Sequence, residues 1–270
     1  MSTKIIEINE LTRRFGDLIA CNNLTLAVER GEIFGLLGAN GAGKTTAIKM
    51  LTTLLPPTSG NAFVAGYDIL HHASDVRRVI GYVPQLLSAD STLTGYENLL
   101  IFAKLYDIPH HERNQRIQDV LSFMDLEEES KRLVRTYSGG MIRRLEIAQS
   151  LLHRPKVLFL DEPTIGLDPL ARIAVGELIA DMRNNYGATI FMTTHLMEEA
   201  DLLCDRVAIM HQGKIAALGS PAELKSAIGK EDSTLEDVFV HFAGSNLESE
   251  SDYHDYRETQ RTRRTARRLG

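Results

Sequence analysis

The stretch "IFGLLGANGAGKTTAIKMLTTLL", residues 33–55, constrains this chain more than any other. An apolar run of β-forming residues leads into a glycine-rich loop, and the loop into a helix-forming segment whose end is marked by Pro56, Pro57 and Gly60. Gly38 to Thr45 read G-x-x-x-x-G-K-T, a spacing whose glycines let backbone N–H groups turn inward around phosphate oxygens. Lys44 adds a cation toward β- and γ-phosphates, and Thr45 offers a hydroxyl to Mg2+. A strand–loop–helix unit of this kind implies an α/β core.

The later sequence supplies a second half for such a site. "VLFLDEPTIGLD" places Asp161 and Glu162 at the C-terminal end of the apolar run Val157 to Leu160. Ligands of open parallel sheets bind at that edge, so Asp161 is placed to hold Mg2+ and Glu162 to orient or deprotonate a water. "KVLFLDEP" and "ATIFMTTH" read as strands separated by the helical "LARIAVGELIADMRNN", the βαβ alternation of a parallel sheet. His195 ends the second of these runs, a place where a histidine is more often surface or core than catalytic. Gln85 in "IGYVPQ" can accept or donate beside a metal-bound water, or can belong to an ordinary loop after a proline.

Elsewhere the sequence outlines the rest of a fold. Residues 4–37 read as several short strands, with turns at Gly16-Asp17 and Arg30-Gly31. From about residue 88 to 150 the pattern is mainly helical. Thr94 and Glu97 have capping-box spacing, and Ile117, Val120, Leu121 and Met124 share one helix face. "DRVAIMHQGKIAALG" reads as a hairpin turning at Gln212-Gly213, and Ser220, Pro221 and Glu223 open a further helix.

From residue 244 to 270 the chain is polar, ending in Arg257, Arg261, Arg263, Arg264, Arg267 and Arg268, and is expected to form a disordered tail. The formal net charge of −6 argues against a general nucleic-acid binder, so no nucleic-acid partner is expected. No apolar run approaches the roughly eighteen residues of a membrane helix. Cys21 and Cys204 lack metal or CxxC spacing and read as free thiols of a reducing compartment.

One motif remains. "TYSGGMIRRLEIAQS", residues 136–150, sets a serine and two glycines before an amphipathic helix, a second place suited to an anion. A serine N-cap with a glycine turn is also common for its own sake.

Taken in order, the motifs resemble those of the ATP-binding subunit of ATP-binding cassette (ABC) transporters, over nearly all of Ile5 to Leu224. The resemblance implies a P-loop NTPase with a RecA-like parallel sheet core, an N-terminal antiparallel β subdomain and a helical insert subdomain. The catalytic domain would span 1–243. It also implies ATP and Mg2+ as ligands. By it, Gly38, Ala39, Asn40, Gly41, Ala42, Gly43, Lys44 and Thr45, with Thr46 following, hold the phosphates, and Thr45, Gln85 and Asp161 the metal. Glu162, His195 and Gln85 are then catalytic, and Ile165 to Asp168 form the D-loop.

Phe15 stands where the family stacks an aromatic ring on adenine, although it also suits a core. Ser138, Gly139 and Gly140 form the signature, which in this family faces the γ-phosphate held by a second, head-to-tail copy. That accounts for two anion sites in one chain. A separate membrane permease of the ABC-2 type is implied as partner, with the chain peripheral on the cytoplasmic face of a bacterial membrane.

Two departures, Tyr137 and Met141 in "YSGGM" and Ile165-Gly166 in the D-loop, separate the chain from the commonest pattern. This signature is similar to that of drug, antibiotic, polysaccharide and daunorubicin-resistance exporters. A rival reading is a soluble ABC-type ATPase acting as a regulatory or ribosome-associated switch. It would bring a coiled-coil insertion, zinc-ligand cysteines or tandem cassettes, none of which the sequence carries.

Overall fold

Alternating apolar residues near the N-terminus build a sheet that lies apart from the glycine loop's own sheet. The computed structural model describes residues 3–229 and 232–244. Lys4–Phe15 (β1) and Leu18–Glu29 (β2) form an antiparallel hairpin with Phe15 opposite Leu18, turning at Gly16 and Asp17. These strands are 12 residues each rather than several short ones. Bulges, where the register shifts between Ile8 and Leu11 and between Arg13 and Arg14, let a long strand coil without ending.

Ile33–Leu37 (β3) is buried throughout and leads through the glycine loop into Lys44–Leu51 (α1). The helix stops before the Pro56 signal. Thr53 takes the left-handed conformation (φ 63°), and Thr53 and Leu54 donate their amides to the carbonyls of Met50 and Lys49. This is a Schellman ending with threonine in glycine's usual place. Ser59–Val64 (β4) and Tyr67–Asp68 (β5) complete the first sheet, in the order β2-β1-β4-β5. Ala73–Val79 (α2) then runs directly into Ile80–Val83 (β6).

Three longer helices follow, Gly95–Leu105 (α3), His110–Phe123 (α4) and Gly139–Leu151 (α5). Thr94 and Glu97 make the expected capping box at α3, and Ile117, Val120, Leu121 and Met124 are all buried. The α/β alternation resumes with Val157–Asp161 (β7), Pro169–Tyr186 (α6), Thr189–Thr194 (β8), Met197–Leu203 (α7) and Arg206–His211 (β9). Lys214–Gly219 (β10), Pro221–Ala227 (α8) and Leu235–Gly244 (α9) end the described chain, with Ser220 and Glu223 capping α8 as expected.

The main sheet has the order β10-β9-β3-β8-β7-β6. It is parallel except for β10, which the hairpin at Gln212 and Gly213 adds antiparallel to β9 at one edge. Both turn residues have positive φ, 46° and 77°, as a two-residue hairpin turn requires.

Apolar residues fill both faces of this sheet, as a buried parallel sheet requires. On one face Phe191 stacks on Phe34 and meets Phe159 at a tilt, with centroids 5.4 and 5.5 Å apart, in a core shared with the first sheet and α1. On the other face Leu37, Leu158, Leu160, Ile190 and Met192 meet the helices. Cys21 and Cys204 are free and buried, and burial pushes the Cys21 thiol up to about 12. Among the described residues no helix is long and apolar enough to cross a membrane. The tail read as disordered lies outside the described residues from 245 onward.

Candidate functional site

The glycine loop leaves the C-terminal end of β3, at the centre of the main sheet. Gly43 has φ 109°, and a Cβ there would lie 2.2 Å from the Ala20 carbonyl oxygen of β2, so only glycine fits. The loop is braced from distant segments: the Gly38 amide donates to the Thr194 carbonyl at 3.2 Å, and the Gly213 amide to the Ala42 carbonyl at 3.0 Å.

Lys44, the first residue of α1, is 5% exposed and folds back over the loop. Its Nζ donates to the carbonyls of Gly38 (2.8 Å) and Ala39 (3.2 Å) and lies 3.1 Å from Glu162 Oε1. Glu162 is itself 5% exposed and takes a left-handed backbone (φ 49°), which costs a non-glycine residue about 1–3 kcal/mol. Its amide donates to Thr193 Oγ1 at 3.0 Å, and its other carboxylate oxygen lies 2.8 Å from His195 Nδ1. The turn thus swings one carboxylate off the end of β7 to stand between a lysine and a histidine.

Asp161, one residue earlier, is buried on the same strand end. Its Oδ1 accepts from Thr45 Oγ1 (3.2 Å) and Thr193 Oγ1 (2.6 Å), whereas Oδ2 is buried with no hydrogen-bond partner. A spare carboxylate oxygen beside a threonine hydroxyl is a hard-oxygen donor pair of the sort Mg2+ selects. Burial, reinforced by the Asp161 charge, pushes the nearby Tyr82 phenol up to about 12.

The structure therefore brings Lys44, Thr45, Asp161, Glu162 and His195 into one network. Gln85 is half-buried just past the end of β6, and its carbonyl accepts from Arg143. Phe15 ends β1 and is 45% exposed, with the Arg13 guanidinium 4.6 Å from its ring centroid. It is not a core residue.

Ser138, Gly139 and Gly140 stand elsewhere, at the start of α5. Ser138 caps the helix, accepting from the Met141 amide at 3.2 Å, and both Ser138 and Gly139 are exposed. The two unusual signature residues have structural partners. Tyr137 Oη donates to the Glu129 carbonyl at 2.7 Å, and a Cβ on Gly95 would lie 2.4 Å from that oxygen, so Gly95 at the start of α3 makes room for it. Met141 packs partly buried against the core.

Residues 21–165 match the family described as ABC transporter. The chain belongs to that family. It is 39% identical over 225 residues to the linearmycin resistance ATP-binding protein LnrL of Bacillus subtilis (strain 168), covering 83% of this chain and 72% of that protein. It is 44% identical over 225 residues to the phospholipid-transporting ATPase ABCA3 of Homo sapiens, covering 83% of this chain but only 13% of that protein. A solved structure described as the ATP binding subunit of an ABC transporter superposes with a TM-score of 0.78 at 29% identity, over 88% of this chain and 99% of that one.

The α/β P-loop fold and the ABC resemblance read from the motifs are thereby borne out, and the chain is an ATP-binding ATPase of this family. Subunits of the family dimerise and work with membrane permeases. A soluble regulatory ATPase is not the reading these relatives favour.

Sequence reading did not single out Thr193, whose hydroxyl donates to the Asp161 carboxylate and accepts from the Glu162 amide. The signal was available: two threonines, Thr193 and Thr194, follow the apolar run Ile190 to Met192 at the strand's ligand-binding end.

Proposed function

We propose that the chain hydrolyses Mg2+–ATP between two head-to-tail copies and so drives export of a drug, lipid or polysaccharide through a separate permease of the ABC-2 type. In this reading the chain sits on the cytoplasmic face of a bacterial membrane, the ATPase domain spans 1–243 and the helical subdomain 88–150. Export is supported by a relative named for linearmycin resistance and by another named for phospholipid transport.

Phe15 stacks on adenine, and the loop Gly38 to Thr46 wraps the phosphates, whose oxygens compete with Glu162 for Lys44. Thr45, Asp161 and Gln85 would hold the metal, which would supply positive charge to offset that of the phosphate oxygens. Glu162 takes a proton from the attacking water, and His195, hydrogen-bonded to it, fixes the carboxylate's aim. Ser138, Gly139, Gly140 and the helix N-terminus behind them meet the γ-phosphate of the other copy. Hydrolysis removes what the two halves share, and the dimer opens.

The observation that carries this reading is Glu162, held 3.1 Å from Lys44 and 2.8 Å from His195 at a strained turn. Glu162→Gln is expected to keep ATP binding and lower kcat by about 10²–10⁴-fold in a phosphate-release assay. Turnover within about twofold of the parent chain would refute a general-base role for Glu162.

A further inference from the structure

The helix behind Ser138 carries a charged pair that the reaction above does not use. Arg143 and Glu146, one turn apart on α5, are 1% and 3% exposed, and Arg143 Nη1 lies 3.1 Å from Glu146 Oε2. Such pairs on helices ordinarily face solvent. This one is turned inward against the loop that carries Gln85.

Arg143 grips the entry of that loop, donating from Nη1 to the Pro84 carbonyl at 2.7 Å and from Nη2 to the Gln85 carbonyl at 2.8 Å. Glu146 grips the exit. Its Oε1 accepts from the Ser88 amide, from the Ser88 hydroxyl at 3.2 Å and from the Ala89 amide at 3.3 Å. Carbonyls before the turn and amides after it are thus held by one ion pair on one helix. Desolvation works against the Arg143 charge, and the carboxylates of Glu146 and Asp161 offset it.

Stability alone does not account for the arrangement. A buried ion pair gains little over well-packed apolar side chains of the same volume. What charge provides and alkyl groups do not is a directional hold on backbone carbonyls and amides.

We propose that Arg143 and Glu146 are positioning residues that clamp the backbone of residues 84–89 to α5, so that the Ser138 end of the helix and Gln85 shift as one body. The clamp deepens the proposed function and rests on its assignment of Ser138 and Gln85 to bound nucleotide. Leu86 and Leu87, 80% and 50% exposed, ride on the clamped turn and move with the helix. Removing the clamp should therefore leave ATP binding at Lys44 intact and slow the step that needs both ends aligned.

The test uses the full chain and two variants. Arg143→Lys keeps the charge, but a single ammonium cannot span two carbonyls and Glu146 as a planar fork does. The double variant Arg143→Met with Glu146→Leu fills the same space with apolar atoms and is expected to stay folded. Amide exchange of residues 84–92 is read by mass spectrometry, the dissociation constant by a fluorescent ATP analogue, and kcat by phosphate release.

Exchange at Ser88 and Ala89 is expected to quicken about tenfold or more in the double variant and less in Arg143→Lys. The dissociation constant should stay within about twofold while kcat falls about tenfold, with Arg143→Lys intermediate. Unchanged exchange in both variants overturns the clamp, and faster exchange with kcat unchanged reduces it to a structural brace and overturns the positioning role. Should the double variant fail to fold, Arg143→Lys decides on the same readouts. Glu162→Gln run alongside separates the two readings: loss of turnover there upholds the ATPase assignment whatever the clamp variants do. The exchange measurement needs no turnover and judges the clamp by itself.

Discussion

Lys44 and Ser138 both begin helices at glycine-rich loops, yet their surroundings differ. Lys44 is 5% exposed and bonded to two carbonyls and a carboxylate of its own chain, whereas Ser138 is exposed and spends its side chain on its own helix. Around Lys44 the groups proposed to handle a phosphate already form one network within a single chain, down to the Thr193 hydroxyl, which donates to Asp161 and accepts from the Glu162 amide. Around Ser138 the chain presents groups outward. In the proposed reading, the contrast teaches that one half of the site is finished by folding and the other is finished by association.

The strongest attempt to break that contrast is Lys44→Ala, which should lower kcat/KM for ATP by about 100- to 1000-fold by removing a preorganised phosphate donor. Ser138→Arg should cost a similar factor in kcat while leaving ATP affinity unchanged, because Ser138 lies outside its own chain's nucleotide site. Mixing the two inactive proteins then restores turnover, since the mixed dimer has one undamaged composite site. If the mixture stays dead while a lone monomer hydrolyses ATP, the division of labour is wrong.

Smaller effects probe the scaffolds behind each half. Gly95→Ala would drive a methyl to 2.4 Å from Tyr137 Oη and should destabilise by about 1–3 kcal/mol, read as a lower Tm. Tyr137→Phe added to it should recover most of that loss. No recovery would mean that the signature's tyrosine does not set the spacing of α3.

Behind the buried half, Thr164 Oγ1 donates to Glu199 Oε1 at 2.7 Å. Burial raises the Glu199 carboxyl above its ordinary value, with the Thr194 and Thr164 hydroxyls and Arg172 pulling against it. The folded chain therefore binds the proton more tightly than the unfolded one, and the ionised group costs stability as pH rises. Glu199→Gln should raise Tm at pH 8, with the gain shrinking on acidification and absent below about pH 4, where the unfolded carboxyl is protonated too. A gain that persists at low pH would point to packing instead of charge.

How far the sequence could be read depended on whether a feature is local. The Gly38 to Thr45 loop, the Thr94 and Ser220 capping boxes and the Gln212-Gly213 turn each lie within eight residues, and each is where the pattern indicates. The end of α1 was missed because threonine at position 53 adopts a conformation that glycine usually marks. Unbroken twelve-residue strands in the first sheet were missed because bulges are invisible in a polar/apolar pattern. Thr193 bonding to Asp161 and Arg143 to Pro84 join residues far apart in sequence, and nothing local announces them. The order of the acids at the end of β7 was legible. The left-handed turn that aims Glu162 was not.

The strand that delivers the glycine loop has as its neighbours β8 and β9, made from the last third of the described chain. The loop's own amides and carbonyls are tied to Thr194 and Gly213 from that same late stretch. A ribosome that has released only the first hundred and fifty residues has therefore exposed every glycine of the loop and its neighbours Ala20 and Cys21 in β2, but neither of these two ties. Such long-range closure is slow to form. During synthesis the loop therefore gains these last braces only after residue 213 has emerged.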